Sequence, residues 1–124
     1  MIRPQAEFPL MEEYKKHFAI TDDTIFTLFP DIYSNHKLTP DLLAHENTHL
    51  KQQEKIGVKE WVRQFLEEPA QRIKIEAEAY RKQIQSIKGR EQQFRCRKWA
   101  SETLSSGLYG NIIDYQTAFN ILKI

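Results

Sequence analysis

Cysteine is all but missing from this sequence. Cys96 stands alone among 124 residues, so no disulfide forms within the chain and the fold must rest on its core. Net charge is nearly absent too: 18 basic side chains against 17 acidic ones leave +1, interspersed along the chain, which gives no polyanion-binding face by balance alone. No apolar run approaches the roughly 20 residues of a membrane-crossing helix, so no membrane partner is expected. The opening Met1-Ile2-Arg3-Pro4-Gln5-Ala6-Glu7 lacks the apolar centre of a secretory leader, and together with the lone cysteine this predicts a reducing, cytoplasmic setting. Repeats, low-complexity tracts and Gly/Ser linkers are also lacking. Residues 1–124 are therefore expected to form one domain, long enough to bury one real core.

What is present is a helix with chemistry on it. Leu42-Leu43-Ala44-His45-Glu46-Asn47-Thr48-His49-Leu50 carries an H-E-x-x-H pattern. Thr39 suits the N-cap, Pro40 the first helical position and Asp41 the first turn, while Gly57 marks the stop. At about 100° per residue, His45, Glu46, His49, Gln53 and Ile56 all fall within roughly 60° of Leu42, a face read as buried. Two imidazoles one turn apart can share a metal ion, and zinc suits them best, with room left for a third protein ligand and a water. Glu46 would project beside the ion and take the proton from that water. The alternative is a pair of hydrogen-bonded core histidines, although an unpaired imidazole pair on a buried stripe would be costly.

The third ligand is sought downstream. Residues 69–88 carry a helical stripe of Ile73, Ala77, Tyr80, Ile84 and Ile87, closed by Gly89. Glu76 lies about 60° from the Ile73 direction and Glu78 roughly 140° away, on the solvent side. A carboxylate at the margin of a buried stripe wants a compensating charge, which selects Glu76 as the partner of the histidines; the alternative is an edge carboxylate reaching solvent or a nearby arginine.

Elsewhere the pattern predicts a short amphipathic helix over 9–19, a strand over 24–29, a turn at Pro30-Asp31 and a return strand over 32–34, together a small antiparallel ribbon. Its edge either pairs with an extended peptide or merely caps the helices. Residues 58–66 place Trp61, Val62, Phe65 and Leu66 on one helical face; 91–104 form a further helix with Phe94, Trp99 and Leu104; and Asp114 caps a last helix that buries Phe119, Ile121 and Leu122. The four basic side chains within 90–98 read as a solvated helix face whose aromatics turn to the core, not as a nucleic-acid surface. They could lower the pKa of Cys96, or the thiol is an ordinary packing group. Residues 105–111 form a turn-rich loop. If it folds over the metal, the Tyr109 phenol could donate to a developing oxyanion; otherwise it packs under the turn.

His45-Glu46-x-x-His49 followed by Glu76-x-x-Ala79-Tyr80 resembles the gluzincin branch of zinc metallopeptidases. More closely, the segments around His45–His49 and Glu76–Gln83, with Leu108-Tyr109-Gly110-Asn111, resemble small zincin-like proteins of bacteriophages and prophages. The resemblance implies an α+β, predominantly helical, minimal zincin-like domain with about five or six helices. It further implies one Zn2+ on His45, His49 and Glu76, Glu46 as general base, and a peptide or protein substrate. In better-known gluzincins an aspartate four residues after the ligand glutamate orients a metal-bound histidine; here that position is Tyr80, whose hydroxyl would accept the same hydrogen bond without charge. Larger relatives also have a second subdomain, so any groove here is expected to be shallow or completed by a partner. The competing expectation is a non-catalytic zincin-fold protein kept for assembly or regulation.

Overall fold

Proline and glycine divide the helical part of the chain. The computed structural model describes residues 1–124, in the order β1 (Ile2–Arg3), α1 (Met11–Lys15), β2 (Phe26–Leu28), β3 (Asp31–Tyr33), α2 (Pro40–Ile56), α3 (Val58–Glu67), α4 (Pro69–Ser86), α5 (Arg90–Leu104) and α6 (Tyr115–Ile121). One-turn 3-10 helices lie at Gln5–Glu7 and Gly107–Tyr109. Pro40 and Pro69 open α2 and α4, where a missing N–H leaves nothing unsatisfied. Gly57, at φ 93°, lets α2 turn directly into α3. The fold is α+β and mostly helical, and no helix is long and apolar enough to cross a membrane.

The expected antiparallel ribbon forms, but within a mixed sheet. β2 and β3 pair antiparallel, with Thr27 opposite Ile32, but β1 adds in parallel on the far side of β3. Ile32 N–H donates to Met1 O (3.0 Å) and Ser34 N–H to Arg3 O (2.8 Å), and the Arg3 guanidinium meets Asp31 at 3.0 Å. A two-residue strand carries no alternation to read, and its partner lies about thirty positions away in sequence.

Two apolar clusters flank the space between α2 and α4. Ile73, Ala77, Tyr80 and Ile84 of α4 pack against Ala100 and Leu104 of α5 and Ala118 and Leu122 near α6. On the other side Phe8, Tyr14, Phe26 and Tyr33 form an aromatic cluster, with Phe18, Val62 and Phe65 against it. Helix ends differ from expectation in three places. α1 is only five residues long, α4 ends at Ser86, and Gly89 (φ 98°) is the N-cap of α5 instead of the stop of α4. Phe94 and Trp99, read as core, are 55% and 51% exposed. α5 buries Leu104 as expected, but beside it the small residues Ala100 and Ser101 take the inner face, which admits close approach of its neighbours. In α6 the buried residue is Ala118, followed by Leu122; Phe119 lies at the margin with Arg97 stacked 3.7 Å over its ring.

Candidate metal centre

The inner face of α2 is polar: His45, Glu46, Thr48, His49 and Gln53 are all buried, whereas Leu42 and Leu43 are half-buried and Ile56 is exposed. Such a face needs partners on every atom. Gln53 pins the helix to the sheet, its Nε2 donating to Thr27 O (2.9 Å) and its Oε1 accepting from Phe29 N–H (2.6 Å). At those two positions the β2 edge is capped by a side chain and is not free for a peptide. Thr27 Oγ1 in turn donates to Glu46 Oε1 at 2.7 Å, leaving the other carboxylate oxygen without a hydrogen bond inside the chain.

One helical turn apart, His45 and His49 bring their Nε2 atoms within 3.2 Å of each other. Glu76 arrives from α4, its Oε1 at 3.2 Å from His45 Nε2 and 2.7 Å from His49 Nε2. The angular argument that chose Glu76 over Glu78 therefore agrees with the structure: Glu76 is buried at the centre and Glu78 is exposed.

The protons on the two rings follow from the amides behind them. Gln83 Nε2 donates to Asp41 Oδ2 (3.0 Å), so its Oε1 is the atom that faces His45 Nδ1 at 2.9 Å. Gln52 accepts the Trp61 indole N–H (3.0 Å) and donates to Glu78 (2.6 Å), so its Oε1 likewise faces His49 Nδ1 at 2.9 Å. An amide oxygen only accepts, and each Nδ1 must carry the proton. Both Nε2 lone pairs then point at the Glu76 carboxylate. Three acceptors converge on one spot, and only a cation or an added proton can hold them there.

Two imidazoles and a carboxylate form a donor set that zinc uses in catalytic sites, and donors at about 2.0–2.1 Å from a tetrahedral ion stand roughly 3.3 Å apart. The separations of 2.7–3.2 Å fit that edge after a small opening. The residues thus suit zinc.

Tyr80, expected to orient a histidine, does not. It packs edge-on against the His45 ring, with centroids 4.6 Å apart, and the orienting positions belong to Gln52 and Gln83. Gln52 lies three residues after His49, and Gln83 lies seven after Glu76 on the same face of α4. That spacing was the available signal. Tyr109 does fold over the centre, on a turn in which Ser106 Oγ accepts from Leu108 N–H and Gly110 takes a left-handed conformation. Its hydroxyl donates to Glu76 Oε2, so it is committed to the carboxylate. Burial and the Glu76 charge hold the phenol well above its ordinary pKa, keeping it a donor. Cys96 is not activated by its basic neighbours: burial and then Asp41 push the thiol up.

When no metal is bound, a proton on His49 takes the cation's place. Burial opposes the charged ring, but Glu76, through charge and hydrogen bond, lifts His49 to about 9. Burial also opposes charge on Glu76, and His49 with both ring hydrogen bonds pulls that carboxyl well below its usual range. The folded-state pKa of His49 lies above its unfolded value of about 6.5, so the pair contributes fully below that pH and is lost as pH rises through 9. The Glu76 contribution holds above about 4.5 and fades on strong acidification. Chelated protein should therefore lose stability between about pH 6.5 and 9, by roughly 3 kcal/mol. Denaturant titrations across that range measure the loss, and saturating zinc should flatten it.

Comparison of the chain with protein-family models, with curated proteins and with solved structures gives no match.

Proposed function

We propose that this chain is a zinc-dependent metallopeptidase of the H-E-x-x-H plus glutamate type, acting on peptides or unfolded protein. The observation that carries the reading is the convergence of His45, His49 and Glu76 as three acceptors, with the Glu46 carboxylate one residue along the same buried face and all four lining one cavity. Zinc held there supplies a Lewis acid that polarises a carbonyl and makes water acidic near neutral pH.

The chain's own groups do the rest. Gln52 and Gln83 fix both rings with their lone pairs inward, and Tyr109 orients the Glu76 carboxylate from behind. Glu46, steadied through one oxygen by Thr27, uses the other to take a proton from water and return it to the leaving amine. Half-buried Cys96, the chain's single cysteine, suits a cytoplasmic setting for this activity. The test is incubation of the zinc-loaded chain with a library of unstructured peptides, read by mass spectrometry. Cleavage should stop on chelation and return with zinc. A chain holding one zinc that cleaves nothing in the library would overturn the proposal.

A further inference from the structure

The two amides behind the histidines are not held alike. Gln52 is fixed from both ends: its Nε2 donates to Ile75 O (3.1 Å) and to Glu78 Oε1 (2.6 Å), while its Oε1 accepts from the Trp61 indole N–H (3.0 Å). Turning that amide over would set acceptor against acceptor and donor against donor at all three contacts. Gln83 has a single safeguard. Its side chain is 3% exposed, and its one hydrogen bond besides that to His45 Nδ1 runs from Nε2 to Asp41 Oδ2 at 3.0 Å. Asp41 is itself seated by Thr39, whose Oγ1 donates to the other carboxylate oxygen at 2.6 Å.

Without a cation, the centre has a second way to satisfy its groups. A proton on His45 Nε2 would donate to Glu76 Oε1, 3.2 Å away, and a Gln83 amide turned over would donate from its NH₂ to the bare Nδ1. A ring in that tautomer points no lone pair at the centre and cannot take a metal through Nε2. What blocks it is Asp41: the turned amide would put its carbonyl oxygen against a carboxylate, two acceptors with no proton between them.

We infer that Asp41 is a positioning residue of the centre, acting through Gln83: its carboxylate keeps the proton of His45 on Nδ1 and so holds the Nε2 lone pair ready for zinc. The inference rests on the metal-binding part of the reading above and not on hydrolysis. It gives Asp41 a task beyond the favourable place of a negative charge in the first turn of α2. It also makes the two histidines of one motif unequal. The tautomer of His49 is guarded by three contacts to Gln52, and that of His45 hangs on one charge.

Asp41→Asn tests this, because it keeps the side-chain shape and supplies an NH₂ that can donate to a turned Gln83. The chelated full chain, with isotope-labelled histidine and at one mildly alkaline pH, is read by long-range proton–nitrogen correlation, which separates the two tautomers of each ring. In the wild type His45 should carry its proton on Nδ1. In Asp41→Asn most of the His45 population should move to the Nε2–H form while His49 stays as it was. Zinc affinity, measured by competition with a chromophoric chelator, should fall about tenfold, the lower end of what an orienting partner contributes. With Gln83→Met already in place, Asp41→Asn should change neither readout, since the route from position 41 to the ring is gone. A lower Tm with tautomer and zinc affinity both unchanged would leave Asp41 a helix-end charge only and overturns the inference. So does a fall in zinc affinity that is as large in the Gln83→Met background. A tautomer change in a chain whose wild type binds no zinc would sink the metal reading alone, and zinc binding without the tautomer change would sink this inference alone.

Discussion

Glu46→Gln is expected to lower kcat about 10³-fold while leaving the fold and the zinc content unchanged, within the range that a positioned general base contributes. The reasoning starts from the partner of Glu46. Thr27 Oγ1 donates to Glu46 Oε1 at 2.7 Å from the β2 strand, and a carboxamide oxygen accepts that bond equally well. Side-chain volume is kept, so the buried face of α2 should not repack. What the amide cannot do is take a proton at neutral pH. Nor does Glu46 hydrogen-bond His45, His49 or Glu76, so the three acceptors keep their arrangement. Zinc stoichiometry measured beside single-turnover rates on a peptide that the wild type cleaves separates the two roles. A Glu46→Gln variant that hydrolyses at the wild-type rate with one zinc bound would remove Glu46 from the mechanism and leave the centre without a base.

The contrast between what was legible in this sequence and what was not follows the range of the interactions. α2 could be bounded from Pro40 and Gly57 because caps and φ limits are local, and Glu76 could be separated from Glu78 because helical phase is local. The fit of His45 and His49 to one point needs nothing beyond a four-residue spacing. The residues that set their tautomers are different. Gln83 acts on His45 only because α4 lies alongside α2, and Tyr80 reads as the better candidate until that contact is known. Phe94 and Trp99 misled for a related reason: apolar character marks a core face only when the neighbouring helix chooses that face, and here α4 and α6 meet Ala100 and Leu104 of α5. The orphaned hydroxyl of Tyr14 had no signature at all, since an amphipathic stripe does not tell which of its atoms lacks a partner.

Glu76→Gln gives the second large effect, and it is a reversal of sign at one atom. In the wild type the Glu76 carboxylate accepts from Tyr109 through Oε2 and faces both Nε2 atoms through Oε1. A carboxamide placed there keeps an oxygen toward Tyr109 and turns its NH₂ toward the two imidazole lone pairs, so the convergence is satisfied by donors on the side chain itself. The chelated variant should therefore fold, and its stability should no longer fall between about pH 6.5 and 9, because His49 has lost the charge that raised its pKa. Zinc should find two imidazoles and an amide, with bound zinc dropping from one ion to near none at micromolar protein. At zinc about 1,000-fold above its Kd the wild type gains about 4 kcal/mol, a rise in Tm on the order of 15 °C, and the variant should show almost none of it. Thermal melts of both proteins, with and without zinc and at two pH values, read every part of this expectation. Were Glu76→Gln to retain both the zinc-dependent rise and the alkaline loss, the carboxylate would be neither the metal's third ligand nor the source of the His49 shift.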